Sequence, residues 1–426
     1  MKIKAVRLYG KNDLRLDEFD LREINPDEVL AKVICDSVCM SSYKTLHRGK
    51  LESVYPQGSG DAPIIIGHEL AGEIVQVGAR VDDKYKIGDR FGVQAAMTID
   101  GVAQAPGYNF AEFGGAATHV IIPANVLPTD YLIWFNDDMH FYQASLGEPY
   151  ACLLFALYGN FHTKQNTRGV TMGIREGGNM AIMGGCGPMG LGGVELILSM
   201  EKRPSLLIVT DIDQDRIDHA SRLIPPEYAA GKGVELRYVN TSNVGNVGNV
   251  GDMSNVLLDL TNGVGFHDIF IMCPVKEVIE LADSIGAYSC CINFFSGPVD
   301  TNLKAEINFH QVHYNAKHII GSASSGVIDM VEIFDMCKEG RLRPEIIVTH
   351  VGGLNCMVDT ISNLPSIPGG KKLIYTNIDM ELTAIEEFGS KDSALFQELH
   401  IICSRNNMLW CGEAEEYLLK HGKKII

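Results

Sequence analysis

Three widely spaced segments carry side chains able to hold and use a metal ion. Cys39 is followed by Met40, Ser41, Ser42 and Tyr43; Gly67 precedes His68 and Glu69; Gly147 precedes Glu148 and Pro149. Thiolate, imidazole and carboxylate are all ligands of Zn²⁺, and a catalytic zinc takes three protein ligands while keeping one position open. Ligands this far apart cannot be paired by spacing. Taken singly, Cys39 reads equally as a small buried apolar residue, His68 as a satisfied core histidine, and Glu148 as a carboxylate at a helix start. The chain has neither a CxxC…CxxC ribbon nor an HExxH helix.

A second chemistry-bearing segment is Ala181-Ile-Met-Gly-Gly-Cys-Gly-Pro-Met-Gly190, in which Gly185, Gly187 and Gly190 follow the G-x-G-x-x-G spacing. In that pattern one glycine makes a tight turn, one lets a pyrophosphate approach the backbone, and one lets helix and strand pack closely. Pro188 and Met189 complete the turn as candidate cofactor-binding residues, and the free N–H groups and dipole of the helix expected in LGGVELILSM suit the phosphates. The next apolar run ends in Asp211, 21 residues after Gly190, where a carboxylate can accept from adenosine ribose hydroxyls and repel a 2′-phosphate. NAD(H) is therefore favoured, while nearby Arg216 keeps NADP(H) open. A structural glycine turn with an unrelated aspartate is the competing reading.

These residues need two kinds of support. Residues 1–155 are rich in Val, Ile and Gly with frequent turn signals (KAVRLYG, EVLAKVICDSV, GHELAGEIVQVGARV, YKIGDRFGVQ, THVIIP), which predicts an irregular β-rich domain. Residues 156–325 alternate apolar runs (NMAIMGG, SLLIVTD, HDIFIMC, SCCINFF, KHIIGS) with longer segments that can hold helices. That predicts an open α/β sheet with parallel strands. The triplet Asn-Val-Gly, repeated over 243–251, reads as a surface loop. Residues 326–426 return to the first domain through DMVEIFDMCKEGRL, EIIVTHVGGL and KKLIYTN, then end in an extra helical segment containing SALFQELHIIC and EAEEYLLKHG.

Length and composition bound the answer. At 426 residues the chain has room for two or three domains. Its net charge of −17 disfavours nucleic acid and anionic membrane as partners. The N-terminus has no apolar signal core, and the stretch from Asn179 to Met200 is interrupted by glycines and Glu195. Eleven cysteines without paired spacing point to a reducing, cytoplasmic setting.

Taken together, the words around the candidate ligands carry a resemblance. GHELAGEIVQVGARVDDKYKIGDRF, from Gly67 to Phe91, resembles the zinc alcohol dehydrogenase signature of the medium-chain dehydrogenase/reductase superfamily. Cys39, Glu148-Pro149, GGCGPMG and Asp211 follow in the superfamily's order, so the resemblance spans about residues 1 to 375. GYNFAEFGGAATHVIIP, NFFSGP, VHYNAKHIIGS, and THVGGLN with PGGKKLIYT are similar to the sorbose-1-phosphate reductase group. The resemblance implies an α/β fold: a Rossmann parallel-sheet cofactor domain plus a split, GroES-like, β-rich catalytic domain. It also implies an EC 1.1.1 oxidoreductase interconverting a ketose phosphate and a polyol phosphate, with zinc, a nicotinamide cofactor and a dimeric or tetrameric homo-oligomer.

By position, the resemblance makes Cys39 and His68 zinc ligands, Glu69 an exchangeable or third ligand, and Glu148 a carboxylate on the metal or its water. Ser41 takes the hydroxyl position that passes the substrate proton, and Cys273, Pro274 and Phe295 line the nicotinamide. Met40 and Ser42 replace the glycine and aspartate common after the cysteine, and no cysteine stands between residues 92 and 115, where a structural zinc would need four. One zinc per chain is therefore expected. A phosphorylated substrate needs a local cation, and Lys44, His47, Arg48 and Lys50 follow the metal cysteine, Lys44 being the first choice. An unphosphorylated polyol or another secondary alcohol is the nearest alternative substrate. A zinc-free enoyl or quinone reductase and a non-catalytic binding protein are the alternatives of other classes.

Overall fold

The computed structural model describes residues 1–49, 62–242 and 250–425. The Asn-Val-Gly tract lies outside the described residues as far as 249, as does Lys50; Val250 already belongs to helix Val250–Asp259. The chain divides into one unit of Met1–Pro149 with Gly326–Ile426, and a second of Tyr150–Ser325.

The first unit is organised around strand Val29–Ser37, whose sequence VLAKVICDS is buried at all but one position. One edge pairs antiparallel with Leu70–Val77. The other is shared end to end: His119–Ile122 covers Val29 to Lys32, and Lys371–Tyr375 covers Cys35 to Ser37. The returning C-terminal segment therefore becomes an interior strand of a sheet begun by the N-terminal third of the chain. Lys371–Tyr375 is itself buried at every position and pairs parallel with Val348–Gly353.

Two helices start beside this sheet. Met40–Arg48 begins directly after Cys39, whose extended backbone marks the end of the strand, and His47 and Arg48 in its last turn suit the helix dipole. Phe141–Gly159 carries Ser145 and Glu148, with Pro149 inside it. The last fifty residues are not a loose appendage: Trp410 is fully buried, and Glu415 on helix Gly412–His421 is 1% exposed. Its carboxylate accepts from the N–H groups of Phe141 (2.9 Å) and Tyr142 (2.8 Å) and from the Tyr375 hydroxyl (2.8 Å). Trp410 donates through Nε1 to the same hydroxyl oxygen at 2.8 Å.

The second unit is a six-stranded parallel sheet in the order Glu235–Asn240, Leu206–Asp211, Asn179–Met183, Phe266–Ile271, Gly286–Phe294, His318–Gly321. This is the doubly wound order in which the first strand sits at the centre, so that ligands bind beyond its carboxyl end. The inner strands are almost wholly buried, as continuous apolar runs require. The sheet includes one strand, ELRYVN, that the apolar runs did not indicate. Among the described residues all eleven cysteines are unpaired, and no helix is long and apolar enough to cross a membrane.

Candidate active site

Cys39 sits where the central strand gives way to a helix, and His68 and Glu69 lead into the strand that pairs beside it. The result is a cluster in which one ligand atom from each of Cys39, His68 and Glu69 lies within 4.8 Å of the others. His68 and Glu69 are buried and Cys39 is partly so. A thiol, an imidazole and a carboxylate at this separation form a donor set suited to Zn²⁺ with one position left open. Among the described residues, no other group of three or more such side chains does this.

Glu69 is held from several sides. Lys371 contacts both its carboxylate oxygens, at 2.5 and 2.6 Å, and the Ser37 hydroxyl donates to Oε2. Its backbone carbonyl accepts from the Ser145 hydroxyl at 2.6 Å and from the Ser37 N–H at 3.1 Å. The negative charge of Glu69 keeps the buried Lys371 ammonium well above its ordinary range despite the cost of burial. The Ser145 bond also ties down the helix that brings Glu148 alongside. Burial pushes the Glu148 carboxyl up to about 7, the neighbouring Glu69 charge adds to this, and His68 opposes it. Glu148 thus stands next to the cluster, outside the mutual 4.8 Å set.

Ser41 Oγ lies 3.2 Å from His68 Nε2, and the Tyr108 ring centroid is 5.2 Å from that of His68. Lys44, one turn further along the helix, is half-buried; burial lowers its pKa, the Cys39 thiol opposes that shift and Arg48 adds to it. His47 is turned to Asn12, with Nδ1 2.6 Å from Oδ1.

In the second unit the glycine turn links strand Asn179–Met183 to helix Pro188–Ser199, with Gly187 at the N-cap and Pro188 in the first turn. A Cβ on Gly185 would press on Ile182 and Val209, and one on Gly190 would overlap the Gly185 backbone, whereas one on Gly187 would meet nothing within 4 Å. Two glycines therefore serve packing, and the third leaves the backbone open to a ligand, with the half-buried Pro188 and Met189 beside it. Gly184, at φ +67°, supplies the left-handed turn.

Asp211 ends its strand at the same edge. Its Oδ2 accepts from the Cys186 N–H at 3.2 Å, and Oδ1 accepts from Ile212 at 2.9 Å and Asp213 at 3.2 Å. Arg216 is exposed and paired with Asp213 at 3.6 Å. Cys273 Sγ packs against Gly184, Pro274 follows it on the surface, and the half-buried Phe295 donates its N–H to the Ile271 carbonyl at 3.2 Å. The sequence reading gave no role to Lys371, Ser37, Ser145 or Asp36. The adjacent lysines of GGKKLIY and a carboxylate inside the apolar run VICDS were the signals available.

Residues 25–130 match the model of the alcohol dehydrogenase GroES-like domain. The chain is 38% identical to the mannitol-1-phosphate 5-dehydrogenase of Aliivibrio fischeri, covering 98% of this chain and 97% of that protein. It is also 38% identical to the L-sorbose 1-phosphate reductase of Klebsiella pneumoniae, covering 99% and 98%. The crystal structure of 2R,3R-butanediol dehydrogenase from Bacillus subtilis superposes with a TM-score of 0.69 at 20% identity, over 88% of this chain and 100% of that one.

Proposed function

The chain belongs to the medium-chain dehydrogenase/reductase superfamily as a polyol- or sugar-phosphate-dehydrogenase-like oxidoreductase, and from that membership we propose that it is zinc-dependent and interconverts a ketose phosphate with the corresponding polyol phosphate. The observation that carries the zinc reading is the mutual approach of Cys39, His68 and Glu69. Full-length similarity to two proteins named for phosphorylated sugars supports the substrate class.

When bound, zinc supplies Lewis acidity to the reacting oxygen, and the nicotinamide takes or gives the hydride. The remaining work falls to the chain. Cys39, His68 and Glu69 would hold the metal; a carboxylate oxygen bonded to Lys371 keeps further lone pairs for it. Lys371 offsets the charge that Glu69 brings into a buried site, and Glu148, buried beside the same cluster, would bind the metal directly or through its water. Ser41, whose hydroxyl lies 3.2 Å from His68 Nε2, would take the proton of the substrate hydroxyl and hand it on towards the cofactor ribose. Lys44, close enough to feel the Cys39 thiol, binds the substrate phosphate. The open backbone at Gly187 cradles the cofactor pyrophosphate, and Asp211 accepts from the ribose, favouring NAD(H).

The test is nicotinamide-linked turnover with mannitol 1-phosphate, sorbose 1-phosphate and the phosphates of fructose, tagatose and sorbitol, using NAD(H) and NADP(H). Metal analysis runs alongside. Turnover of a sugar phosphate by a protein holding one zinc per chain, lost on chelation and regained with zinc, is the expected result. Full activity of the metal-free chain would reject the zinc reading, and preference for unphosphorylated polyols would reject the substrate class.

A further inference from the structure

Two elements converge on Glu69, and one distant side chain holds both. From helix Phe141–Gly159, the Ser145 hydroxyl donates to the Glu69 backbone carbonyl at 2.6 Å. From strand Lys371–Tyr375, Lys371 donates to both carboxylate oxygens of Glu69. The other ends of these elements meet at Glu415, a buried residue of helix Gly412–His421. Its Oε2 accepts from the Phe141 N–H at 2.9 Å, while Oε1 accepts from the Tyr142 N–H and from the Tyr375 hydroxyl, both at 2.8 Å. Phe141 and Tyr142 open the helix one turn before Ser145, where backbone N–H groups have no partner within the helix; Tyr375 ends the strand that Lys371 begins. The seat has further contacts. Trp410 donates to the same Tyr375 hydroxyl at 2.8 Å, and Gly412 lies so close to the His140 ring that a Cβ there would overlap it.

Resting on the zinc reading above, we propose that Glu415 is a positioning residue for the metal site: it fixes the helix and the strand against each other and so, through Ser145 and Lys371, sets where Glu69 presents its carboxylate to the metal. Helix starts are ordinarily capped by a side chain at the N-cap itself. Here the cap comes from 274 residues away and also accepts from the strand, so it joins two elements where a local cap would serve only one. Groups that orient a metal ligand set its affinity as well as its geometry. The C-terminal extension is thereby part of the site's scaffold, although none of its residues belongs to the Cys39, His68 and Glu69 cluster.

The test is zinc affinity by chelator competition on the full chain, with melting of the chelated proteins measured in parallel, for wild type, Glu415→Ala, Glu415→Gln and Leu399→Ala. Leu399 is fully buried on Ala394–Arg405, the other helix of the extension, and its side chain can form no hydrogen bond, so truncating it loosens the extension without cutting the bridge. Zinc affinity is expected to fall about ten-fold in Glu415→Ala and by less in Glu415→Gln, which keeps one acceptor oxygen. Leu399→Ala is expected to melt lower yet bind zinc as wild type does. Should Glu415→Ala not fold, the comparison of Glu415→Gln with wild type and Leu399→Ala decides. Wild-type affinity in the folded Glu415 variants overturns the proposal while leaving the zinc reading intact. So does an affinity loss in Leu399→Ala that matches the Glu415 variants for the same drop in melting temperature, because general loosening would then account for it. A wild-type chain that binds no zinc removes the zinc reading and this proposal together.

Discussion

Lys371 and Glu69 form a pair in which neither charge reaches water, their side chains being 6% and 1% exposed. Removing one member of such a pair strands the other, at a cost of about 3–5 kcal/mol. Lys371→Met is therefore expected to lower the unfolding free energy of the chelated protein, measured by denaturant titration, by that order, and zinc, a substitute cation for Glu69, is expected to recover part of it; loss of the same size with and without zinc would separate Glu69 from the metal. Lys44→Met tests the phosphate contact. A charge-assisted bond is worth about 1.5–3 kcal/mol, so kcat/KM should fall about ten- to hundred-fold for a sugar phosphate and stay unchanged for its unphosphorylated counterpart. An equal fall on both rejects the phosphate role. Cys39, His68 and Glu69 became candidates through the resemblance carried by GHELAGEIVQVGARV and its neighbouring words, and the structure brings the three together. Lys371 could not be so named, because its partner stands 302 residues away, and nothing local in GGKKLIY says which lysine turns inward. Asp36 was hidden differently: within VICDS it looks like an interruption of a strand, and only the glycines packed upon it show that the interruption faces the His68 loop.

Elements were more legible than their joints. Parallel strands buried on both faces read as apolar runs, which is why NMAIMGG, SLLIVTD, HDIFIMC and SCCINFF correspond to inner strands of one sheet, while KHIIGS, an edge strand with no buried position, was legible from its short apolar run alone. ELRYVN, on the opposite edge, escaped because Glu235 and Arg237 break its apolar run, all but one of its residues being at least partly exposed. The two C-terminal helices were visible as amphipathic segments, but their purpose was not. Glu415 acts as a cap from outside, satisfying the first N–H groups of the helix that carries Ser145 and Glu148 while holding Tyr375 in the strand that carries Lys371. Buried donors left without an acceptor cost about 1–3 kcal/mol each. Glu415→Ala is thus expected to lower the melting temperature by about 5 °C or more, and removal of the last fifty residues to lower it further. A Glu415→Ala protein that melts with wild type would reduce the extension to a covering.

At the scale of the whole molecule, a chain of net charge −17 also buries carboxyl groups with little water to solvate them. Burial raises Asp36 to about 8, and Glu148 and Glu415 to about 7, against ordinary values of 3.8 and 4.5. A folded-state pKa above the unfolded one means that the native chain binds the proton more tightly. The stability each group contributes is complete below its unfolded pKa and is lost as pH rises through the folded one. Melting of the chelated protein should therefore decline from about pH 4 to about pH 8, and Glu415→Gln should flatten part of that decline. Zinc responds in the opposite sense, because its ligands must be deprotonated and protons compete with it. The melting difference between zinc-loaded and chelated protein is accordingly expected to widen over the same interval, measured at fixed zinc and fixed ionic strength. A difference that stays constant with pH would mean that protons do not compete with zinc for its ligands. A difference that widens in wild type but not in Cys39→Ser would tie the effect to the Cys39 cluster rather than to adventitious binding elsewhere on an acidic surface.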